Sequence, residues 1–134
     1  MLGEQLGEER GKVTGTRVLS VGASGAEVEV SFSAAGKFMG MDVTDWGTYR
    51  SNSSDGKVFF GEGQGILMTR DGETITWTGQ GSGRFSGPGT ISYRGALYFH
   101  TSSQKLASVN GVCAVYEYEV DPEGNTHTKT WEWK

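Results

Sequence analysis

The sequence has 134 residues with a formal net charge of −4, a length that fits one domain with one core. Phosphate binding needs clustered Lys and Arg, which this mildly acidic chain lacks, so nucleic acid is not an expected partner. No apolar run approaches the ~20 residues of a membrane-spanning helix, and the Gly- and Glu-rich start has no apolar signal segment, so no membrane partner is expected and the expected compartment is the cytoplasm.

Glycine is abundant, at 22 residues against two prolines, and follows no collagen-like period, so it reads as turns and strand kinks. Residues 1–10 are expected to be a flexible or edge segment, and 11–134 a single β-barrel domain. Turn chemistry then divides the chain: Gly-Ala-Ser-Gly at 22–25, Ala-Ala-Gly at 34–36, Ser-Asp-Gly at 54–56, Asp-Gly at 71–72, Ser-Gly-Pro-Gly at 86–89 and Asp-Pro-Glu-Gly-Asn at 121–125. The stretches between predict strands at about 12–21, 26–33, 37–50, 57–70, 73–85, 90–101, 112–121 and 125–133. Most connections have hairpin length, which predicts an all-β, single antiparallel up-and-down barrel of about eight strands. Residues 103–110 are the exception, predicting one short helical turn with Leu106 and Val109 inward, either bridging two strands or plugging a barrel mouth.

Two strands carry glycine at alternate positions, Gly61-Glu62-Gly63-Gln64-Gly65 and Gly79-Gln80-Gly81-Ser82-Gly83. Neither run opens a helix, so neither is a phosphate loop, and barrel curvature is the ordinary explanation. Reading Asp71-Gly72 as a two-residue hairpin loop places Glu62 opposite Gly81 and Gln64 opposite Gly79 on the core face, beside Val58, Phe60, Ile66 and Trp77. An inward Glu62 needs a partner or a proton. A four-residue loop at 86–89 would supply Arg94 as that partner, whereas a three- or five-residue loop turns Ile91, Tyr93, Leu97 and Phe99 inward instead.

Tyr116 and Tyr118 alternate with Glu117 and Glu119, and the tyrosines are the expected inward pair. Trp46 and Trp77 are expected in the core, with Trp46 also suited to a rim, and Met39 and Met41 share a face with Val43. His100 and His127 lack metal-ligand spacing, so no metal site is expected. Cys113, the single cysteine, reads as an inert thiol in an apolar strand. Trp131 and Trp133 lie on a terminal strand expected to close the barrel or to pair with a second subunit.

The segments Gly61 to Gly65, Trp77-Thr78-Gly79-Gln80-Gly81, Tyr93 to Tyr98 and Tyr116 to Asp121 together resemble a family of small uncharacterised prokaryotic proteins, over most of the chain. That group is similar to the calycin-like barrels around allene oxide cyclase. The resemblance implies an interior that binds or cyclises hydrophobic small molecules. No motif here aligns with the residues of the cyclase, so no catalytic role is carried over.

The resulting expectation is a small apolar or amphipathic ligand in the barrel interior, lined by Glu62, Gln64, Arg94, Trp77, Tyr116 and Tyr118, with no cofactor. Two alternatives accompany it. One is a cofactor-independent isomerase or cyclase with Glu62 as general acid or base, and the other a homo-oligomeric module built on exposed strand edges. In each of the first two the interior holds at least one carboxylate.

Overall fold

Each strand boundary follows from a local turn, and the computed structural model, which describes residues 1–134, joins eight strands into one closed antiparallel barrel in chain order. The strands are β1 (Leu2–Gly22), β2 (Gly25–Phe38), β3 (Met41–Ser53), β4 (Val58–Thr69), β5 (Thr74–Gly87), β6 (Thr90–His100), β7 (Cys113–Val120) and β8 (Asn125–Trp133). Closure is made by β8 against β1, with Trp133 beside Leu2 and Trp131 beside Gln5. Residues 2–10, expected as a flexible or edge segment, are the first half of β1: Leu2 and Gln5 pair with β8 alone, as an edge does, whereas Gly7 to Arg10 pair with both β8 and β2.

Two turns differ from expectation for specific reasons. β2 runs through Ala-Ala-Gly to Phe38, because the reversal is made by Met39 and Gly40, both at positive φ (52° and 78°), as a two-residue type I′ turn requires. Between β4 and β5, the Thr69 amide donates to Glu73 O at 2.9 Å and Gly72 sits at φ 86°. The loop is therefore the three-residue Arg70-Asp71-Gly72, a type I turn ending in a left-handed glycine. That one-residue slip pairs Glu62 with Gln80 and Gln64 with Thr78, and turns every β4 side chain to the face opposite the one expected.

Inside the barrel β4 contributes Thr69, Leu67, Gly65, Gly63 and Gly61, and β5 contributes Ile75, Trp77, Gly79, Gly81 and Gly83. Between β5 and β6 the Pro88-Gly89 turn and a bulge at Ser86 pair Phe85 with Ile91, so Tyr93, Leu97 and Phe99 face inward and Arg94 faces out. This is the more apolar of the two arrangements the sequence allows.

The interior has two zones. At one end Phe38, Val43, Leu67, Ile75, Phe99 and Ala114 pack with Leu106 and Val109. The 3-10 turn Ala107–Val109 in the β6–β7 connection therefore plugs this mouth. Each fully buried side chain of that size contributes about 1.5–3 kcal/mol. The Asn110 side chain fixes the plug by accepting from the Thr101 amide at 2.9 Å and donating to Thr101 O at 3.0 Å. Towards the other mouth the wall is aromatic: Phe32, Tyr49, Trp77, Tyr93 and Tyr118 meet across the barrel with ring centroids 5.5–6.3 Å apart. The glycines of β4 and β5 give those rings their room, since a Cβ on Gly65 would lie 2.4 Å from the Trp77 indole and one on Gly83 2.8 Å from Tyr93.

Candidate functional site

The alternation Gly7-Glu9-Gly11 on β1 and Val43-Asp45-Gly47-Tyr49 on β3 sends two carboxyl side chains into the barrel. The strand between them, β2, presents only Gly36 and Ala34 at the levels of Glu9 and Asp45, so the two carboxyls face each other over small residues. Both residues are 7 % exposed. The Trp77 indole Nε1 donates to Asp45 Oδ1 at 2.9 Å, whereas Glu9 Oε1 is buried and receives no N–H or O–H from any other residue.

No Lys, Arg or His lines this space, so no countercharge is at hand. Two buried carboxylates in contact without a cation cannot both stay ionised; a proton held between them satisfies Glu9 Oε1 and removes the repulsion. Burial and then the neighbouring Asp45 push the Glu9 carboxyl far above the ordinary range. Burial also raises Asp45, but its hydrogen bonds from Glu9 and Trp77 oppose that rise, which makes Asp45 the more readily ionised member.

Beside the pair lies a cavity of about 70 Å³, lined also by Phe32, Leu97, Tyr116, Tyr118, Thr128 and Thr130. At ~10–15 Å³ per water-sized group it has room for a few heavy atoms. Three of the four inward phenols are engaged within the protein: the Tyr49 and Tyr118 hydroxyls bond each other at 3.0 Å, and Tyr93 bonds Ser51 Oγ at 2.6 Å. Burial raises all four tyrosines, and for Tyr116 no hydrogen bond opposes the rise.

The residues expected from the sequence divide between the two faces. Trp77, Tyr116 and Tyr118 line the cavity. Glu62 borders the cavity between Gly61 and Gly63, but its side chain, expected inside, turns outward, 53 % exposed and paired with Arg50 Nη2 at 3.2 Å. Gln64 is likewise exposed on the outer face, a consequence of the β4 register. Arg94 also faces out, against Glu117 at 3.7 Å and Ser92 Oγ at 2.8 Å, and does not meet Glu62. Trp46 is an exposed outer residue paired with Ile66, and His127 bonds Glu8 at 2.6 Å on the outer wall. The interior acids are thus Glu9 and Asp45, neither singled out by sequence reasoning. The signal for both was the period-two run that carries each of them.

The arrangement defines a closed eight-stranded meander barrel with a polar pair in an aromatic interior. Solved structures of the same fold include a protein of unknown function from Clostridium acetobutylicum, with TM-score 0.84, 14% identity and 98% of each chain covered. A β-barrel-like protein from Acinetobacter baumannii follows at TM-score 0.83 and 14% identity, covering 100% of this chain and 96% of that one. An enzyme from Penicillium herquei has TM-score 0.69 and 16% identity over 96% of this chain and 92% of its own. No family model and no curated protein matches the sequence. At such identities the likeness is one of fold. No helix is long and apolar enough to cross a membrane.

Proposed function

We propose that the barrel interior binds the polar head of a compact amphipathic small molecule, with the Glu9–Asp45 pair as its hydrogen-bonding anchor. The observation that carries this reading is the placement of two contacting acids beside an aromatic-lined cavity that holds no cation. An interior serving stability alone is served at least as well by apolar side chains of the same volume. A drug-sized ligand needs a pocket of ~300 Å³ or more. The cavity of about 70 Å³ therefore takes only a compact group of a few heavy atoms. The resemblance to interior-binding calycin-like barrels points the same way.

The test is saturation-transfer NMR with cyclopentanone and cyclopentanol as probes, irradiating the aromatic protons. Wild type should transfer to both compounds. Gly61→Val should not, because Gly61 lines the cavity, where a Cβ already comes within 3.3 Å of the Tyr93 ring and 3.6 Å of Arg50 O, so the added methyls occupy the ligand's space. Equal transfer in wild type and in folded Gly61→Val, or none in wild type, rejects the reading.

A further inference from the structure

We propose that Glu9, Asp45 and Tyr116 form an acid–base centre that moves a proton between carbon atoms of a compact enolisable ketone or enone. This rests on the binding reading above and adds a reaction and a substrate class to it. The carboxyl pair offers both a proton and a proton-accepting oxygen at one point of the cavity wall, because the only other donor to it is the Trp77 indole. Tyr116 lines the same cavity from β7 and differs from Tyr49, Tyr93 and Tyr118 in having no hydroxyl partner within the protein. A free phenol O–H facing a cavity is a ready donor to a carbonyl oxygen, and a desolvated carboxylate is a stronger base than one in water.

The step balances within the substrate and these groups. The ionised carboxyl oxygen of the pair takes the α-proton, and the C–H electron pair becomes a C=C bond. The C=O π pair moves onto oxygen, where the Tyr116 O–H stabilises it. Return of a proton from the carboxyl to the α-carbon regenerates the ketone, carrying deuterium where the held proton has exchanged with solvent, and return to the γ-carbon of a β,γ-unsaturated ketone re-forms the C=O bond and leaves the conjugated isomer, with the carboxyl pair back in its starting state. The negative charge passes from the acid pair to the enolate oxygen and back.

The experiment follows pent-4-en-2-one in D2O by proton NMR, reading deuterium uptake at the α-carbon and conversion to the conjugated ketone. Wild type should accelerate both over an equal concentration of acetate at the same pH. Glu9→Gln and Asp45→Asn should each lower the rate about 100-fold or more. Tyr116→Phe removes only an unpartnered hydroxyl and should keep the fold and the saturation-transfer signal while lowering the rate about 10- to 100-fold. Binding by wild type without acceleration overturns this inference and leaves the binding reading intact. Absence of binding overturns both. Acceleration that survives Glu9→Gln overturns the assignment of the acid pair.

Discussion

Replacing Glu9 by Gln should flatten the dependence of stability on pH. The folded pair retains a proton that the unfolded chain releases: the Glu9 carboxyl is raised from 4.5 to about 10, first by burial and then by Asp45. A raised folded value means stability is fully present below the unfolded value and is lost as pH climbs towards the folded one. One retained proton corresponds to ~1.4 kcal/mol per pH unit, a ceiling of about 4 kcal/mol between pH 5 and 8. Because Asp45 shares the proton, wild type should lose about 2–4 kcal/mol over that range and Glu9→Gln less than about 1. The carboxyls held low by hydrogen bonds, those of Glu8, Asp42, Asp55, Asp71 and Asp121, drop out because they are ionised in both states above about pH 5. The histidines are common to both proteins and cancel in the difference. Urea unfolding followed by tryptophan fluorescence at fixed ionic strength gives the numbers. Parallel stability curves for the two proteins would refute the shared proton.

Three further outcomes follow from packing. Gly65→Ala places a methyl 2.4 Å from the Trp77 indole and should destabilise by about 1–3 kcal/mol, whereas Gly15→Ala, with nothing within 4 Å, should change stability by less than about 0.5; denaturant midpoints compare them. Met39→Asn relieves a methionine at φ 52° ahead of Gly40 in a type I′ turn, and thermal unfolding should show a gain of about 0.5–1 kcal/mol. Leu106→Ala hollows the plug between β6 and β7, where Leu106 is 3 % exposed, and should cost about 2–5 kcal/mol in urea unfolding.

The barrel was legible because Gly, Asp, Asn and Pro punctuate the chain at hairpin spacing, and the Leu106 and Val109 positions announced an inward turn. Register was not. On β4 the face carrying Val58, Phe60, Ile66 and Met68 is the more apolar one, yet the structure exposes all four and turns Leu67 and three glycines inward. Hydrophobic alternation fails there because aromatic rings from neighbouring strands fill the interior, so the wall itself must be thin. Asp71-Gly72 served equally as a two-residue loop or as the end of a three-residue one, and only the Thr69–Glu73 pairing distinguishes them. The expectation of an interior carboxylate fell on Glu62 through that slip. Glu9 was passed over because residues 1–10 carry little apolar signal, although Gly7, Glu9 and Gly11 alternate as an inward face does. Asp45 lay in view between Val43 and Tyr49, overshadowed by its neighbour Trp46, while its indole partner is Trp77.

The account's central claim is that the functional centre is an interior acid pair sharing one proton, and a neutron crystal structure at neutral pH tests it most directly. It should reveal a single deuteron between the Glu9 and Asp45 carboxyls, with the Trp77 Nε1 deuteron directed at Asp45. Glu9 and Asp45 turned apart, each ionised and hydrated, would contradict it.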